Sequence, residues 1–264
     1  MTSRPSDRPV LNQFLSSPPG LAVCWLGNDG WLLRGQGRVI AFDLDLESGM
    51  RLGKPPVSTE ELAPALEAMF ISHEHGDHFN DATAAILARQ SRCLFVVPAN
   101  CVEKARRLGV PDARLVVARP RQPLEVLGIT VRPMRAFHGH HHQSVYHDAN
   151  LDDCGYLLTL DGQTLLQPGD SVLTQDHLDA KGVDILFISP TAHNMHIQPA
   201  LHLLSALQPG WIFPQHFETY RVTPENEFWT VGYPDELRAA LPDDLRRHYY
   251  KLDQGQVFRI GALT

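Results

Sequence analysis

Short hydrophobic runs alternate with polar turns over the first part of the chain. Residues 22–26, 30–34 and 38–43 are rich in residues that favour β-strands. Glycine, asparagine and aspartate are concentrated between these runs, at residues 28–30 and 35–37. Such turn residues between short apolar runs are typical of β-hairpins. The pattern therefore predicts that the chain begins with strands joined by tight turns.

Helical and strand-like segments alternate after this β-rich start. Ser58 and Glu61 match a capping box and predict a helix that runs to about Glu67, followed by a short apolar strand at residues 68–72. From Asn80 the apolar residues have helical spacing. Further strands are predicted at residues 93–97, 115–117, 123–135, 155–160, 163–167, 184–188 and 210–213, and further helices at 102–108, 172–180 and 198–207. Strands and helices in both halves predict two packed sheets with helices outside.

The N-terminal segment and the lengths of the apolar runs bear on domain organisation and location. Residues 1–20 are rich in Ser, Pro and Arg and are predicted to form a flexible N-terminal arm, with residues 21–264 as a single domain. The first residues lack the apolar stretch of a secretory signal. No run approaches the roughly 18 apolar residues that a membrane span requires. We therefore expect a cytoplasmic protein with no membrane partner.

Composition excludes some classes of function. Hydrophobic residues make up 43% and charged residues 20%, which is ordinary for a globular protein. The net charge of −7 argues against a main role in binding nucleic acid, which usually needs a basic surface. The 4 cysteines form no CxxC pair, so neither a disulfide framework nor a thiolate metal site is indicated. The 14 histidines are clustered, and clustered imidazoles call for a chemical explanation.

One cluster of potential metal ligands directly follows the predicted strand at residues 68–72. It reads His73, His75, Asp77 and His78, in the spacing His-x-His-x-Asp-His. Imidazole and carboxylate ligands in this mixture suit zinc and tolerate manganese or iron. The glycine between them, at position 76, is predicted to let the backbone bend sharply. The spacing indicates a metal site rather than a solvated polar loop.

The motif resembles that of the metallo-β-lactamase superfamily, and three further motifs of that family follow in order. They are a histidine at a strand end (His138), an aspartate in a Gly-Asp-Ser turn (Asp170) and a histidine in a Pro-x-His turn (His216). Residues 25–27 and 153–156 also resemble the branch that includes L-ascorbate-6-phosphate lactonase. The resemblance implies a four-layered αββα sandwich. It also implies two divalent metal ions, Zn²⁺ first, with Mn²⁺ or Fe²⁺ as alternatives.

The resemblance also implies a set of seven ligands. The first ion would be held by His73, His75 and His138, and the second by Asp77, His78 and His216. Asp170 would bridge the two ions. A hydroxide between the ions would attack the substrate, and Asp77 would orient it or carry a proton to the leaving group.

The third ligand of the first ion has competitors in the sequence. His138 is followed by His140, His141 and His142. The position at a strand end favours His138. His140 is the main alternative, because a small shift of the loop could present it instead. The other two histidines are expected to be solvated.

Residues outside the ligand set are candidates for supporting roles. Asp43 ends a predicted strand and is expected to orient a ligand histidine, with an ordinary turn aspartate as the alternative. Two loops are predicted to face the substrate, one after a strand and one after the last ligand. The candidate substrate contacts are His193, His196, Tyr220 and Arg221, and Trp229 is a further candidate for the lining of the pocket. A position at the surface, away from the substrate, is the alternative for each of them. An aromatic and basic rim suits an anionic small molecule.

These motifs predict a metal-dependent hydrolase that acts on a small lactone, thioester or phosphoester. A nuclease of the same fold is one alternative, but such enzymes usually carry an inserted domain and a basic surface. A redox or other metal-binding protein is the second alternative, but the flavodiiron type has a glutamate where His75 stands. The absence of a Gly-x-Ser-x-Gly motif argues against a serine hydrolase. The predicted partner is thus a small-molecule substrate.

Overall fold

Two β-sheets form the centre of the molecule. The computed structural model describes residues 9–140 and 150–261. The strands in these ranges are β1 (Ala22–Gly27), β2 (Gly30–Gly35), β3 (Arg38–Phe42), β4 (Ala68–Phe70), β5 (Leu94–Pro98), β6 (Leu115–Ala118), β7 (Leu124–Val126), β8 (Ile129–Arg135), β9 (Cys154–Leu160), β10 (Gln163–Gln167), β11 (Ile185–Ile188), β12 (Trp211–Pro214) and β13 (Val257–Arg259). One sheet has the order β13-β1-β2-β3-β4-β5-β6, and the other has the order β12-β11-β10-β9-β8-β7.

Helices cover the outer faces of both sheets. Those in the described residues are α1 (Val10–Leu15), α2 (Thr59–Leu62), α3 (Asp81–Gln90), α4 (Val102–Arg107), α5 (Gln175–Leu178), α6 (Ile197–Leu207), α7 (Glu227–Thr230), α8 (Pro234–Ala240) and α9 (Asp243–Arg246), with short 3₁₀ turns at Ala99–Cys101 and Asp112–Arg114. Within the ranges that the structure describes, no helix combines the length and the hydropathy needed to cross a membrane.

Strand β1 shows how the layers are separated. Ala22 and Cys24 belong to an apolar cluster with α1–α4, whereas Val23 and Trp25 belong to a second cluster between the sheets. Successive side chains of a strand point to opposite faces, so a strand between two layers is buried on both sides. A third apolar cluster packs α6, α8 and α9 on the far face of the other sheet. The predicted αββα sandwich is confirmed.

The capping box at the start of α2 is present, but the helix is shorter than predicted. The Ser58 hydroxyl accepts a hydrogen bond from the backbone amide of Glu61, and the Glu61 side chain accepts one from the Ser58 amide. The helix ends at Leu62 rather than near Glu67. Pro64 has no amide hydrogen to donate, so the helical hydrogen-bond pattern cannot continue through it.

The N-terminal segment is more ordered than its composition indicates. Residues 10–15 form α1, and Phe14 is completely buried in the cluster beneath it. The Arg34 side chain donates hydrogen bonds to the carbonyls of Phe14 (3.1 Å) and Ser17 (2.8 Å). The prediction of a flexible arm over residues 1–20 is therefore wrong for this helix, because an apolar face docks it onto the sheet. Residues 1–8 lie outside the described residues.

The candidate ligands all follow the ends of strands. The turn that contains His73 follows β4, and His138, Asp170 and His216 follow β8, β10 and β12. In the second sheet, β10, β11 and β12 are parallel, and β8 runs in the same direction because it is separated from β10 by the antiparallel β9. Three ligands of this sheet therefore reach the same edge.

Candidate metal centre

Backbone hydrogen bonds, rather than a special glycine conformation, form the turn after β4. The carbonyl of His75 accepts hydrogen bonds from the backbone amides of His78 (3.1 Å) and Phe79 (2.7 Å). The prediction that Gly76 permits a sharp bend is wrong. Its φ is not positive, and a Cβ at this position would meet no atom within 4 Å. Gly76 instead lines a cavity beside the centre.

The seven predicted ligands come together as two triplets joined by one carboxylate. In each of three groups, the potential ligand atoms lie within 4.8 Å of one another. The groups are His73, His75 and His138; Asp77, His78 and His216; and His73, His78 and Asp170. The first two match the ligand sets that the resemblance implies for the two ions. Asp170 shares its group with one member of each set.

The spacing of the polar atoms fits bound metal ions. Nε2 of His78 lies 3.4 Å from Oδ2 of Asp77, and Nε2 of His216 lies 3.3 Å from Oδ2 of Asp170. Two atoms that bind one ion tetrahedrally, each at about 2.0–2.2 Å, are separated by about 3.4 Å.

Unpaired ring nitrogens support the same conclusion. Among the described residues, the Nε2 atoms of His73, His78 and His216 are buried and have no hydrogen-bond partner. Buried polar atoms without partners are rare, because each costs free energy relative to its hydrated state. Imidazole nitrogens are common ligands of divalent metals. The donor set therefore fits divalent ions.

Charge is divided unevenly between the two triplets. Burial, together with nearby histidines, holds the pKa of His73 well below its usual value and lowers the pKa of His75 to about 4. Burial would also lower the pKa of His216, but the charge of Asp170, hydrogen bonding to Asp170 and Asp77 and the charge of Asp29 together outweigh it and raise the pKa to about 10. Burial would raise the pKa of Asp77, but the charges and hydrogen bonds of His78 and His216 together outweigh it and hold the pKa well below its usual value. The second triplet therefore stabilises positive charge, whereas the first presents neutral imidazole.

Asp43 orients two of the ligand histidines. Its Oδ2 lies 3.1 Å from Nδ1 of His78 and accepts a 2.7 Å hydrogen bond from the Ser72 hydroxyl, while its Oδ1 accepts one from the Ser72 amide. The Ser72 hydroxyl in turn lies 2.9 Å from Nδ1 of His73. Contacts at Nδ1 leave Nε2 of each ring available to an ion. This arrangement agrees with the role suggested for Asp43 by the sequence.

We expect Asp43→Asn to weaken metal binding by about 10–100-fold, the usual effect of losing the partner of a metal-binding histidine. The amide keeps the shape of the side chain but lacks the charge that holds the His78 ring. Competition with a chromophoric chelator measures the affinity. Asp45→Asn is the matched control, since Asp45 is also buried but accepts its hydrogen bond from Tyr220. Equal affinities for Asp43→Asn and the unmodified protein would remove Asp43 from this role.

Three contacts of the centre were not recognised in the sequence. Nδ2 of Asn28 donates to Oδ2 of Asp77 at 3.2 Å, and Asp29 is buried with Oδ2 3.9 Å from Nδ1 of His78. Burial raises the pKa of Asp29 to about 8. Nδ2 of Asn194 donates to Oδ1 of Asp170 at 2.8 Å. The sequence around Asn28 carries only a turn signal, so its location at the centre depends on the packing of the two sheets.

Of the four predicted substrate contacts, the structure brings His193 to the centre. Its Nε2 lies 2.8 Å from Oδ2 of Asp170, and it lines the neighbouring cavity. His138, Asp170 and His193 also form a group that could hold a metal ion. A Cβ at Gly139 would clash with the carbonyl oxygen of His193, so only glycine permits this close approach.

The other three predicted substrate contacts lie elsewhere. The Tyr220 side chain is buried and donates its hydroxyl hydrogen to Asp45 at 2.7 Å. The ring of His196 packs against Tyr233 at 5.3 Å, and Arg221 is exposed. None of these residues is among the described residues that line the cavity. The prediction that Tyr220 and Arg221 line the cavity is therefore wrong, whereas Trp229, predicted with them, does line it.

The cavity beside the centre has a volume of about 270 Å³. The described residues that line it are His75, Gly76, Asp77, His138, Asp170, His193, Phe228 and Trp229. Nδ1 of His138 lies 2.7 Å from the carbonyl oxygen of Gly139, and its Nε2 lies 3.5 Å from Oδ2 of Asp170. The ring of His140, the competing ligand, lies 5.9 Å from that of Phe228. His141 and His142 lie outside the described residues.

Comparison with known proteins identifies the family. The model of the β-lactamase superfamily domain matches residues 42–217. An uncharacterized protein of Mycobacterium tuberculosis is 35% identical over 256 residues, which cover 88% of this chain and 67% of the relative. A UPF0173 metal-dependent hydrolase of Pelotomaculum thermopropionicum is 24% identical over 229 residues, covering 84% of this chain and 92% of the relative.

A solved structure has the same fold. The isothiocyanate hydrolase from Delia radicum gut bacteria has a TM-score of 0.73 and 18% identity, with 91% of this chain and 100% of that chain covered. At this identity the likeness concerns the fold. The family match spans most of the sandwich, from the end of β3 to the turn that contains His216. The chain therefore belongs to the metal-dependent hydrolases of the metallo-β-lactamase superfamily.

Proposed function

We propose that the chain uses two divalent metal ions to hydrolyse a small ester-like substrate, a lactone or a phosphoester. The observation that carries this proposal is the pair of ligand triplets joined by Asp170 beside a cavity of about 270 Å³. Zn²⁺ is the first candidate for both ions, with Mn²⁺ or Fe²⁺ as alternatives. The resemblance of residues 25–27 and 153–156 to the ascorbate-6-phosphate lactonase branch favours a lactone.

The ions would supply an acidified water and neutralise charge that develops on the substrate. The residues of the chain would position these groups. Asp77 lines the cavity, and Asn28 donates to its Oδ2, which fixes the carboxylate where it can take a proton or orient a water. His193 and Asn194 each contact one oxygen of Asp170, so this carboxylate is held from both sides.

The proposed partner is a small molecule rather than a nucleic acid. None of the described residues that line the cavity is a lysine or an arginine, and the net charge of the chain is −7. Binding a phosphate backbone normally requires several such cations. The cavity is also close to the lower end, about 300 Å³, of the range for small-molecule sites.

We expect purified protein to hold close to two transition-metal ions per chain, because seven ligands suffice for two ions and exceed the needs of one. Elemental analysis measures the content. Activity is then screened on lactones, thioesters, phosphodiesters, β-lactams and, given the structural neighbour, a small isothiocyanate. Chelation is expected to abolish hydrolysis, and Zn²⁺ or Mn²⁺ is expected to restore it.

A protein sample that was never chelated is the activity control, and circular dichroism shows whether the metal-free chain stays folded. One ion at saturation would contradict the two-ion arrangement. A folded chain that binds no metal after reconstitution would overturn the whole proposal. Preference for RNA or DNA over every small ester would favour the nuclease alternative instead.

A further inference from the structure

Two aromatic residues of α7 form an apolar wall in the cavity. Phe228 and Trp229 are half-buried and line it together with the ligand residues. Apolar surface that faces a concave site beside convergent polar groups is typical of a small-molecule binding site. The wall gives the cavity a region suited to a part of the substrate that does not react.

The wall is fixed against the metal centre. The rings of Trp229 and His216 are nearly perpendicular, with centroids 6.1 Å apart, and the Trp229 ring also lies 5.7 Å from that of Tyr220. The rings of Phe228 and His193 are likewise nearly perpendicular, with centroids 6.0 Å apart. Both aromatic residues therefore contact rings that belong to the centre or adjoin it. A group bound against them lies next to the reacting atoms.

The loop before α7 holds the wall in place. The Asn226 side chain accepts a hydrogen bond from the amide of Thr223 (2.7 Å) and donates one to the carbonyl of Arg221 (2.9 Å). After the helix, a Cβ at Gly232 would clash with the carbonyl oxygen of His216. The backbone that follows α7 therefore packs directly against the turn that contains this ligand. A wall that is ordered before binding loses little entropy when the substrate binds.

The charges around the cavity disfavour an anionic group at the wall. Asp77 and Asp170 line the cavity, and the described lining has no lysine or arginine. An anion that binds at the wall rather than on the metal ions would therefore lose hydration without a cationic side chain of the described lining to pair with it. The transfer of an apolar group from water to the wall would instead be favourable.

We propose that the substrate carries a compact apolar group, aliphatic or aromatic, which binds against Phe228 and Trp229 while its ester-like group lies at the metal centre. This inference rests on the proposed function and narrows it. A sugar phosphate or another highly charged substrate would place its charge against the aromatic wall. The specificity-determining residues are thus on α7 rather than at Tyr220 and Arg221.

Carboxylates that mimic hydrolysis products test the inference without requiring turnover. The metal-loaded full chain is titrated calorimetrically with acetate, butyrate and hexanoate, and with glutarate as a dicarboxylate of similar length. We expect the affinity to rise by about fourfold for each methylene that the wall buries. Glutarate is expected to bind at least about tenfold more weakly than hexanoate, because its second charge is buried without a partner.

Variants of the wall show where the apolar chain binds. Phe228→Asn is expected to remove most of the dependence on chain length, whereas Phe228→Leu keeps it. Val222→Ala is the matched control, since Val222 lies in the same segment but is 52% exposed and is not among the described lining residues. Metal content, measured for every variant, shows that the centre is intact.

The outcomes separate this inference from the proposed function. Glutarate binding as tightly as hexanoate, or an unchanged chain-length dependence in Phe228→Asn, would overturn the apolar wall even if the protein hydrolyses esters. A dependence that is lost in Phe228→Asn, in a protein that hydrolyses none of the tested substrates, would support the wall and count against the proposed function. Failure of the unmodified chain to bind metal would contradict the proposed function.

Discussion

The His138→Ala variant should lose affinity for the first metal ion by more than the roughly 100-fold that the loss of a ligand's outer partner can cost. His138 shares a group with His73 and His75, in which the potential ligand atoms lie within 4.8 Å of one another. Without the His138 imidazole, His73, His75 and Asp170 would be left to hold this ion. Metal titration followed by elemental analysis should show one tightly bound ion in place of two. Hydrolysis should fall with it.

His140→Ala is the matched control for this experiment. It removes an imidazole two residues away, from a ring that lies 5.9 Å from the Phe228 ring. Its metal content should match that of the unmodified chain. The same result is expected for His141→Ala and His142→Ala. Loss of metal from His140→Ala together with retention by His138→Ala would place the ligand two residues further along the chain.

The positions of the candidate ligands could be predicted, because they depend on the local sequence and on the ends of strands. The turn after β4 carries four potential ligands in six positions, so any backbone that keeps the turn compact brings them near one another. His138, Asp170 and His216 follow strands that end at the same edge of one sheet. The alternation of strands and helices predicted two packed sheets with helices outside, and the resemblance that these motifs carry specified the four-layered αββα type. Strand periodicity alone could not distinguish it from other arrangements of two sheets.

Residues whose positions depend on turn geometry could not be predicted. Tyr220 follows His216 closely in the sequence, which suggested a place at the rim of the cavity. Positive φ values at His216 (64°) and Glu218 (43°) redirect the chain, and the Tyr220 hydroxyl reaches Asp45 instead. A histidine or a glutamate in the sequence does not predict a positive φ, because positive φ is uncommon outside glycine. Sequence proximity to a ligand was therefore a poor guide to contact with the substrate.

The apolar wall could be predicted only in part: proximity to His216 indicated Trp229 as a pocket residue, but nothing in the sequence indicated Phe228. Both residues reach the cavity because the side chain of Asn226 organises the loop before a helix of four residues. So short a helix has no clear hydrophobic periodicity.

The burial of Phe14 was missed for a different reason. The apolar residues of α1 are present in the sequence, but the surrounding Ser and Pro residues indicated a flexible segment.

Asp77→Asn should lower kcat by at least about 100-fold, the scale on which positioned acid–base groups act. The Asp77 side chain lines the cavity, and its Oδ2 lies 3.4 Å from Nε2 of His78 and 3.5 Å from Nε2 of His216. Asparagine keeps much of the shape but removes the charge that can hold the second ion, orient a water or take a proton. Steady-state kinetics at saturating metal measures the effect of the lost charge on turnover. Metal titration of the same variant measures its effect on binding.

Asp81→Asn is the matched control, because Asp81 carries the same charge four residues away but is largely exposed and pairs with Lys104. Its kcat should stay within about twofold of normal, since exposed ion pairs of this kind contribute little. The fold of Asp77→Asn should also survive, because a carboxylate in this turn adds nothing to the apolar clusters. Reduced metal affinity with near-normal kcat at saturating metal would restrict Asp77 to holding the ion. A large loss of kcat with both ions bound would place its carboxylate in the chemical step.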